Sequence, residues 1–249
     1  VQICVDGQEV LSPDLPIAHG YCRPYNYIEL PDEEGLFELR DVPHGTLTQE
    51  FYKSKISDNW EKLIVYLPPC VPSAGLPVLY LQHGFGESEI SWSTTGKVNF
   101  LMDNLIAAGK IKPFAIVMGN GMVKQRIDGE LKLNRALYGQ MLVEEILPMI
   151  EKKYQFGGSK EKRGMAGLSM GSVQTTRTIC AHPELFSEVG IFSGFLRDRI
   201  VGDEEHDGIV PKSGGQSYLK AMDDAAFNTY FHTFFRYIGD EDWFLPRFL

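Results

Sequence analysis

The chain has 249 residues, a length that predicts one α/β domain of moderate size with at most a small additional segment. Apolar residues make up 43% and charged residues 23%, so a large core can form without metal ions or disulfides. The formal net charge of −9 argues against a nucleic-acid partner, because phosphate binding needs clustered Lys and Arg. No apolar run approaches the length of a membrane-spanning segment.

The chain start and the cysteines bear on where the protein is located. The sequence begins at Val1 without an initiator Met or a signal peptide, so we interpret it as the interior of a longer precursor. Four cysteines occur without a CxxC pair or a Cys/His cluster. If the protein is exported, a Cys4–Cys22 disulfide is one alternative, and buried free thiols are the other.

The first 44 residues are rich in turn signals. Val5-Asp6-Gly7, Ser12-Pro13-Asp14 and Leu30-Pro31-Asp32 predict a few β-strands joined by tight turns. Asp41-Val42-Pro43-His44-Gly45 then indicates a boundary. We therefore divide the chain into a β-rich segment over 1–44 and a larger domain over 45–249.

From about Thr46 the pattern changes to strands that alternate with amphipathic helices. In chain order we predict strands at Leu63–Leu67 and Val78–Gln82, a helix at Asn99–Ala108, a strand at Phe114–Met118, a helix at Tyr138–Tyr154, a strand at Gly164–Ala166, a helix at Ser172–Cys180, and strands at Val189–Phe192 and Phe234–Ile238. Continuous apolar strands separated by helices predict an α/β fold with a mostly parallel central sheet covered by helices on both faces. In such a sheet the chemistry is expected at the carboxyl ends of the strands.

The pentapeptide Gly167-Leu168-Ser169-Met170-Gly171 matches the G-x-S-x-G nucleophile elbow. A strand is predicted before it and a helix after it, which is the context that the motif requires. Such a turn strains the serine backbone and lifts its hydroxyl above the sheet, and the flanking glycines avoid side-chain clashes. We therefore predict Ser169 as the nucleophile and the Met170 N–H as a donor to a developing oxyanion.

The second oxyanion donor is expected in the loop after Val78–Gln82. There His83-Gly84-Phe85-Gly86 resembles the HGGG-type motif, so we assign the Phe85 N–H as donor, with Gly84 and Gly86 allowing close approach of the substrate. His83 stands before the oxyanion glycine, where a structural hydrogen-bonding role is favoured over that of a catalytic base.

The acid is expected just past a late strand, and the last predicted strand runs into Gly239-Asp240-Glu241-Asp242-Trp243. We favour Asp242, with Asp240 as the alternative. No histidine follows Trp243, although the fold expects one there, and the histidines present are His19, His44, His83, His182, His206 and His232. His206 is the in-chain candidate, and we expect that the chain is C-terminally incomplete or that a partner chain supplies the base.

Several blocks together carry a family resemblance: Asp41–Gly45, Tyr80–Gly84, Asn99–Ile106, Val117–Gly121, Ala166–Gly171 and Phe192–Gly194. They resemble the esterase family that includes bacterial feruloyl esterases (carbohydrate esterase family one), esterase D and enterochelin esterase. The resemblance implies an α/β-hydrolase fold, a Ser-His-Asp mechanism, no metal and no cofactor. It also implies export to the periplasm or the medium.

In polysaccharide-acting members of that family a β-sandwich module often precedes the esterase, and the 1–44 segment is similar to the tail of such a module. The resemblance implies a carbohydrate-linked ester as the partner molecule. Trp92 and Trp243 are candidates for stacking on a sugar or an aromatic acyl group, with core packing as the equal alternative. The oligomeric state stays open.

These sequence features lead to three hypotheses about function. The leading hypothesis is a serine carboxylic-ester hydrolase that acts through an acyl-enzyme on esters of plant cell-wall polysaccharide. An acyltransferase of the same fold is a second. A carbohydrate-binding protein that has lost its catalytic base is a third, because fold alone does not fix function.

Overall fold

A seven-stranded sheet forms the centre of the structure, a computed structural model that describes residues 3–194, 225–242 and Leu245. Its strands, in spatial order across the sheet, are β13 (Thr233–Tyr237), β12 (Glu188–Phe192), β11 (Arg163–Leu168), β7 (Val78–Gln82), β8 (Ala115–Gly119), β6 (Trp60–Leu67) and β5 (Thr46–Lys53). The first five are parallel to one another, whereas β6 is antiparallel to both of its neighbours, β8 and β5. The predicted mostly parallel α/β sheet is confirmed.

Helices cover both faces of this sheet. They are α1 (Ser91–Thr94), α2 (Val98–Ala107), α3 (Tyr138–Met141), α4 (Leu147–Tyr154) and α5 (Met170–Ala181), with a π-helical turn at Leu142–Ile146 between α3 and α4. The sequence predicts one helix over Tyr138–Tyr154, and the structure divides it. Pro148 is the second residue of α4 and has no N–H to donate to the preceding turn, which accounts for a change of helical pitch at this point.

Alternate residues of each strand pack on opposite faces. One core cluster combines residues of α3, α4 and α5 with strand residues that include Leu63, Val65, Tyr80 and Val117. Their neighbours Ile64, Tyr66, Leu81, Ile116 and Met118 belong to a second cluster that includes Val98 and Met102 of α2. This period of two explains why the strands are apolar throughout, since both of their faces are buried.

The N-terminal segment is strand-rich, as the sequence predicts, and its strands do not join the central sheet. β1 (Ile3–Val5) pairs with β2 (Gln8–Val10), and β3 (Ile17–Gly20) pairs with β4 (Arg23–Asn26), each as an antiparallel hairpin. A third hairpin, β9 (Lys124–Ile127) with β10 (Glu130–Leu133), lies outside the sheet later in the chain. The assignment of 1–44 to a β-sandwich module stays a prediction.

The segment before β5 is anchored to the body of the protein by α2. The carboxylate of Asp103, which is 2% exposed, accepts hydrogen bonds from the Gly45 N–H at 3.0 Å and the Tyr66 hydroxyl at 2.5 Å. His44 Nδ1 lies 2.9 Å from the same carboxylate. Asn104 Nδ2 donates to the carbonyls of Leu36 and Glu38. The boundary around His44 is therefore a fixed connection.

The cysteine thiols are free, as one of the two alternatives predicts, but Cys4 and Cys22 are exposed and not buried. Cys4 lies on β1 and Cys22 lies in the turn after β3, and the two are neither bridged nor buried. Cys70 is exposed as well. The two hairpins are separate units, so proximity in sequence does not bring the thiols together. No helix among the described residues is long and apolar enough to cross a membrane.

Candidate active site

The carboxyl ends of four parallel strands meet at one edge of the sheet, and a cleft of about 380 Å³ lies over them. The residues that line it follow β7, β11, β12 and β13, with one contribution from the N-terminal segment. They are Tyr21, Gly84, Phe85, Glu87, Leu168, Ser169, Ser193, Glu241 and Asp242. The edge predicted from the sequence is thus the one that carries the cleft.

Ser169 sits on a strained turn between β11 and α5. Its backbone dihedrals are φ 52° and ψ −113°, a combination that few non-glycine residues adopt. A Cβ on Gly167 would lie 2.2 Å from the Gly171 carbonyl oxygen, and a Cβ on Gly171 would lie 2.7 Å from the carbonyl oxygens of Gln82 and His83. Glycine is therefore required on both sides of the serine, as the elbow motif predicts.

The elbow is held from two directions. The Ser169 N–H donates to the Phe192 carbonyl at 2.9 Å, which ties it to the end of β12. The Ser172 hydroxyl donates to the Ser169 carbonyl at 2.5 Å from within α5. Met170 is the first residue of α5, so its N–H has no acceptor within the helix and points out of the positive end of the helix dipole. The predicted oxyanion donor therefore lies at the junction of β11 and α5, at the carboxyl end of the strand.

The loop that follows β7, which we call the β7 loop (His83–Glu87), is fixed by the His83 ring. His83 is 1% exposed, its Nε2 accepts the Gly121 N–H at 2.9 Å, and its Nδ1 lies 2.8 Å from the Gly84 carbonyl. Because an N–H can only donate, Nε2 carries no proton and the proton resides on Nδ1. Burial lowers the pKa of His83, so the ring is neutral. This is the structural hydrogen-bonding role that the sequence predicts.

Two further side chains support the same loop. Glu87 Oε2 accepts the Gly84 N–H at 3.0 Å, and burial raises the pKa of the Glu87 carboxyl. The Arg135 guanidinium lies 4.7 Å from the centroid of the Phe85 ring. Gln174 of α5 donates through Nε2 to the carbonyls of Gly121 and Arg135. The loop expected to supply the second oxyanion donor is thereby linked to the helix behind the nucleophile.

The N-terminal hairpin β3–β4 also contacts the β7 loop. The Tyr21 N–H donates to the Phe85 carbonyl at 3.0 Å, and the Cys22 N–H donates to the Gly86 carbonyl at 3.3 Å. A Cβ on Gly86 would lie 2.0 Å from the Cys22 nitrogen. The structure thus gives Gly86 a different role from the one the sequence predicts, because the hairpin and not a substrate requires the absence of a side chain there.

Asp242 lies where the sequence predicts the acid. It follows β13 in the segment Gly239–Asp242, which we call the β13 loop, and it lines the cleft with Ser169. The Asp242 N–H donates to the Gly239 carbonyl at 3.1 Å, which closes the turn. Asp240 is exposed and is not among the residues that line the cleft. The arrangement favours Asp242 over Asp240.

The two tryptophans proposed for substrate stacking have different outcomes. Trp92 lies on α1 and packs against the second core cluster, and it is not among the residues that line the cleft. A substrate-stacking role for Trp92 does not fit this position, and the packing alternative describes it. Trp243 lies outside the described residues.

None of the histidines within residues 3–194 and 225–242 lines the cleft. His44 and His83 have the contacts given above. His182 Nδ1 lies 3.4 Å from Glu184, and His232 Nδ1 lies 2.8 Å from Glu188, at the opposite end of the strands from Ser169. His206 lies outside the described residues. Across those same ranges no group of three or more His, Cys, Asp or Glu is arranged to hold a metal ion.

A comparison with known protein families assigns the chain to one of them. Residues 54–237 match the model of the Esterase family, described as "Putative esterase". The chain belongs to this family. The match covers every strand of the central sheet except β5, and it covers the elbow, the β7 loop and the α/β-hydrolase fold around them.

Proteins of similar sequence and solved structures of similar fold include enzymes that are named feruloyl or ferulic acid esterases. An endo-1,4-beta-xylanase/feruloyl esterase from Xylanibacter ruminicola is 36% identical over 201 residues, which are 77% of this chain and 28% of that protein. A solved ferulic acid esterase is 29% identical with a TM-score of 0.54, over 61% of this chain and 62% of the other. A CE1 ferulic acid esterase from Anaeromyces mucronatus, in complex with ferulic acid, has a TM-score of 0.60 at 21% identity, over 66% of this chain and 64% of the other. The chain therefore spans less than two thirds of each of these relatives.

Proposed function

We propose that the protein is a serine carboxylic-ester hydrolase with Ser169 as its nucleophile. The observation that carries the proposal is the strained Ser169 turn, which lines one cleft together with the β7 loop and Asp242. Among family members with an esterase fold, this combination supplies a nucleophile, an oxyanion site and an acid in a single place.

In this proposal the Ser169 hydroxyl oxygen attacks the ester carbonyl and forms a tetrahedral intermediate. The N–H groups of Met170 and Phe85 stabilise its negative oxygen. The alcohol leaves with a proton from the base, and water then releases the acid from the acyl-enzyme. Asp242 would orient the base, which we assign to a histidine outside the described residues, with His206 as the in-chain candidate.

We further propose esters of a feruloyl-type acid with plant polysaccharide as substrates. The support is the relative at 36% identity, whose name joins a xylanase with a feruloyl esterase. Export to the periplasm or the medium is part of the same proposal, because that substrate lies outside the cell.

Intact-mass analysis after treatment with a fluorophosphonate tests the nucleophile. The cleft contains a second serine, Ser193, which provides a matched control. We expect one adduct on the unaltered chain and on Ser193→Ala, and none on Ser169→Ala. An adduct that survives in Ser169→Ala would refute the assignment. If His206 is the base, His206→Gln slows labelling by several orders of magnitude while the protein stays folded.

A non-catalytic carbohydrate-binding protein is the alternative, and one observation favours it: no histidine in the described part of the chain lines the cleft. It predicts a folded protein that binds a xylo-oligosaccharide and forms no adduct. An acyltransferase would form the adduct and transfer the acyl group to an added alcohol in preference to water, so product analysis separates it from a hydrolase.

A further inference from the structure

The turn of the β3–β4 hairpin has an unusual composition. Two residues, Tyr21 and Cys22, connect the strands, and their φ angles are 51° and 62°. Positive φ at both central positions is the type I′ pattern, which strongly prefers Asn-Gly or Asp-Gly. A tyrosine followed by a cysteine places two side chains in a backbone region that disfavours both of them.

The two other two-residue hairpin turns in the described part of the chain follow the preference. Asp6-Gly7 joins β1 to β2 with φ angles of 50° and 79°, and Asp128-Gly129 joins β9 to β10 with φ angles of 53° and 83°. The strained composition is therefore specific to one hairpin. Strain retained at one of three equivalent turns points to a task for the side chains at that turn.

The surroundings of Tyr21 indicate what this task is. The turn is held against the β7 loop by the two backbone hydrogen bonds to Phe85 and Gly86, so those bonds do not require a tyrosine side chain. Tyr21 nevertheless lines the cleft together with Ser169, and it is 76% exposed. Tyr21 is therefore a solvent-exposed aromatic residue at the cleft, next to Phe85.

We propose that Tyr21 is a substrate-binding residue that contacts the carbohydrate portion of the ester, an inference that rests on the function proposed above. The ester bond must reach Ser169, and a polysaccharide is too large for a cleft of about 380 Å³, so the polymer has to extend out of the cleft. A largely exposed aromatic ring at the rim meets the part of the substrate that leaves the cleft. Aromatic rings present a flat apolar face with a polar hydroxyl, which suits a sugar.

Binding measurements in the Ser169→Ala background test this without turnover. Isothermal titration calorimetry would compare methyl ferulate with a feruloylated arabinoxylo-oligosaccharide. We expect Tyr21→Ala to weaken the binding affinity for the oligosaccharide ester by about tenfold and to change the affinity for methyl ferulate by less than about twofold. Phe51→Ala is the matched control, since Phe51 is an exposed aromatic on β5 at the far edge of the sheet, and it should change neither affinity.

A double variant separates binding from structural support. Tyr21→Asn with Cys22→Gly installs the preferred turn, so the hairpin should be as stable or more stable, with an equal or higher Tm. We expect the double variant to lose as much affinity for the oligosaccharide ester as Tyr21→Ala does. Equal losses for both ligands would mean that Tyr21 only supports the β7 loop, and no loss for either would mean that it has no role. Both results overturn the inference, whereas a parent protein that binds neither ester refutes the proposed function itself.

Discussion

The β7 loop and the β13 loop form opposite sides of one cleft, and they are supported very differently. The β7 loop follows a strand at the centre of the sheet, between β11 and β8. Its backbone is bonded by the His83 ring, by Glu87 and by the N-terminal hairpin. The β13 loop follows a strand whose neighbour within the described residues is β12 alone, and its turn is closed by the short-range Asp242–Gly239 bond.

This difference matches the tasks that we propose for the two sides. Oxyanion donors stabilise charge only when they are fixed before the reaction, so a loop that supplies them benefits from many bonds to the rest of the protein. An acid that orients a histidine acts through that histidine, and its position depends on the segment that carries the base. We therefore expect substitutions in the β7 loop to change both stability and rate, and substitutions in the β13 loop to act mainly on the rate.

The largest effect is expected from the β13 loop. Asp242→Asn should lower kcat by about 10⁴-fold, because the base loses the carboxylate that fixes its tautomer. Asp240→Asn is the matched control and should stay within about threefold, since an exposed surface carboxylate contributes little. The measurement is the initial rate of methyl ferulate hydrolysis. If Asp240→Asn has the larger effect, the acid is Asp240.

A smaller effect on rate, accompanied by a loss of stability, is expected from Gly86→Ala. The new Cβ would lie 2.0 Å from the Cys22 nitrogen, so the hairpin or the loop must move. We expect a loss of about 2 kcal/mol in the free energy of unfolding and about a hundredfold in kcat. Gly109→Ala is the control, because Gly109 has a similar positive φ of 65° and nothing within 4 Å of its Cβ position. Equal costs for both variants would mean that the hairpin contact is unimportant.

The smallest effect concerns pH and the β7 loop. The pKa of His83 is lowered by burial, so near its ordinary value of 6.5 the unfolded chain binds a proton that the folded chain does not. The stabilisation should therefore be fully present well above pH 6.5, and it should be lost as the pH falls through 6.5 toward the lower folded pKa. Urea midpoints across this range would measure the fall.

His83→Gln provides the control for the pH effect. Its amide oxygen can accept the Gly121 N–H and it does not titrate. We expect the variant to be less stable at neutral pH, with a smaller further loss on acidification. An identical pH dependence in both proteins would assign the effect to other groups.

The parts of the site that the sequence predicts are those with local signals. Val78–Gln82 is predicted to the residue because a short apolar run ends at a glycine-rich loop. Ser169 is predicted because its strain and its steric requirements are met by residues within two positions of it. Asp242 is predicted because its strand and turn are contiguous in the chain.

The parts that the sequence does not predict depend on distant contacts. Tyr21 shows no catalytic motif, and only the pairing of its turn with Phe85 places it at the cleft. The signal available was the Tyr-Cys pair at a hairpin turn where Asp-Gly is expected. β5 was not predicted because its residues alternate between exposed and partly buried positions, as is typical of a strand at the edge of a sheet. For Trp92 the sequence leaves substrate stacking and core packing open, because burial decides its contacts and burial is not visible in its neighbours.

The pairing of β11 with β7 has a consequence for how the protein folds. Arg163 pairs with Val78, and α2, β8 and α4 all lie between the two strands in the chain. Contacts of such long sequence separation form slowly, because a large loop must close before they are gained. The hairpins and helices need only nearby residues. We therefore expect refolding in which helical circular dichroism returns first, and reactivity of Ser169 toward a fluorophosphonate returns only when this central pairing closes.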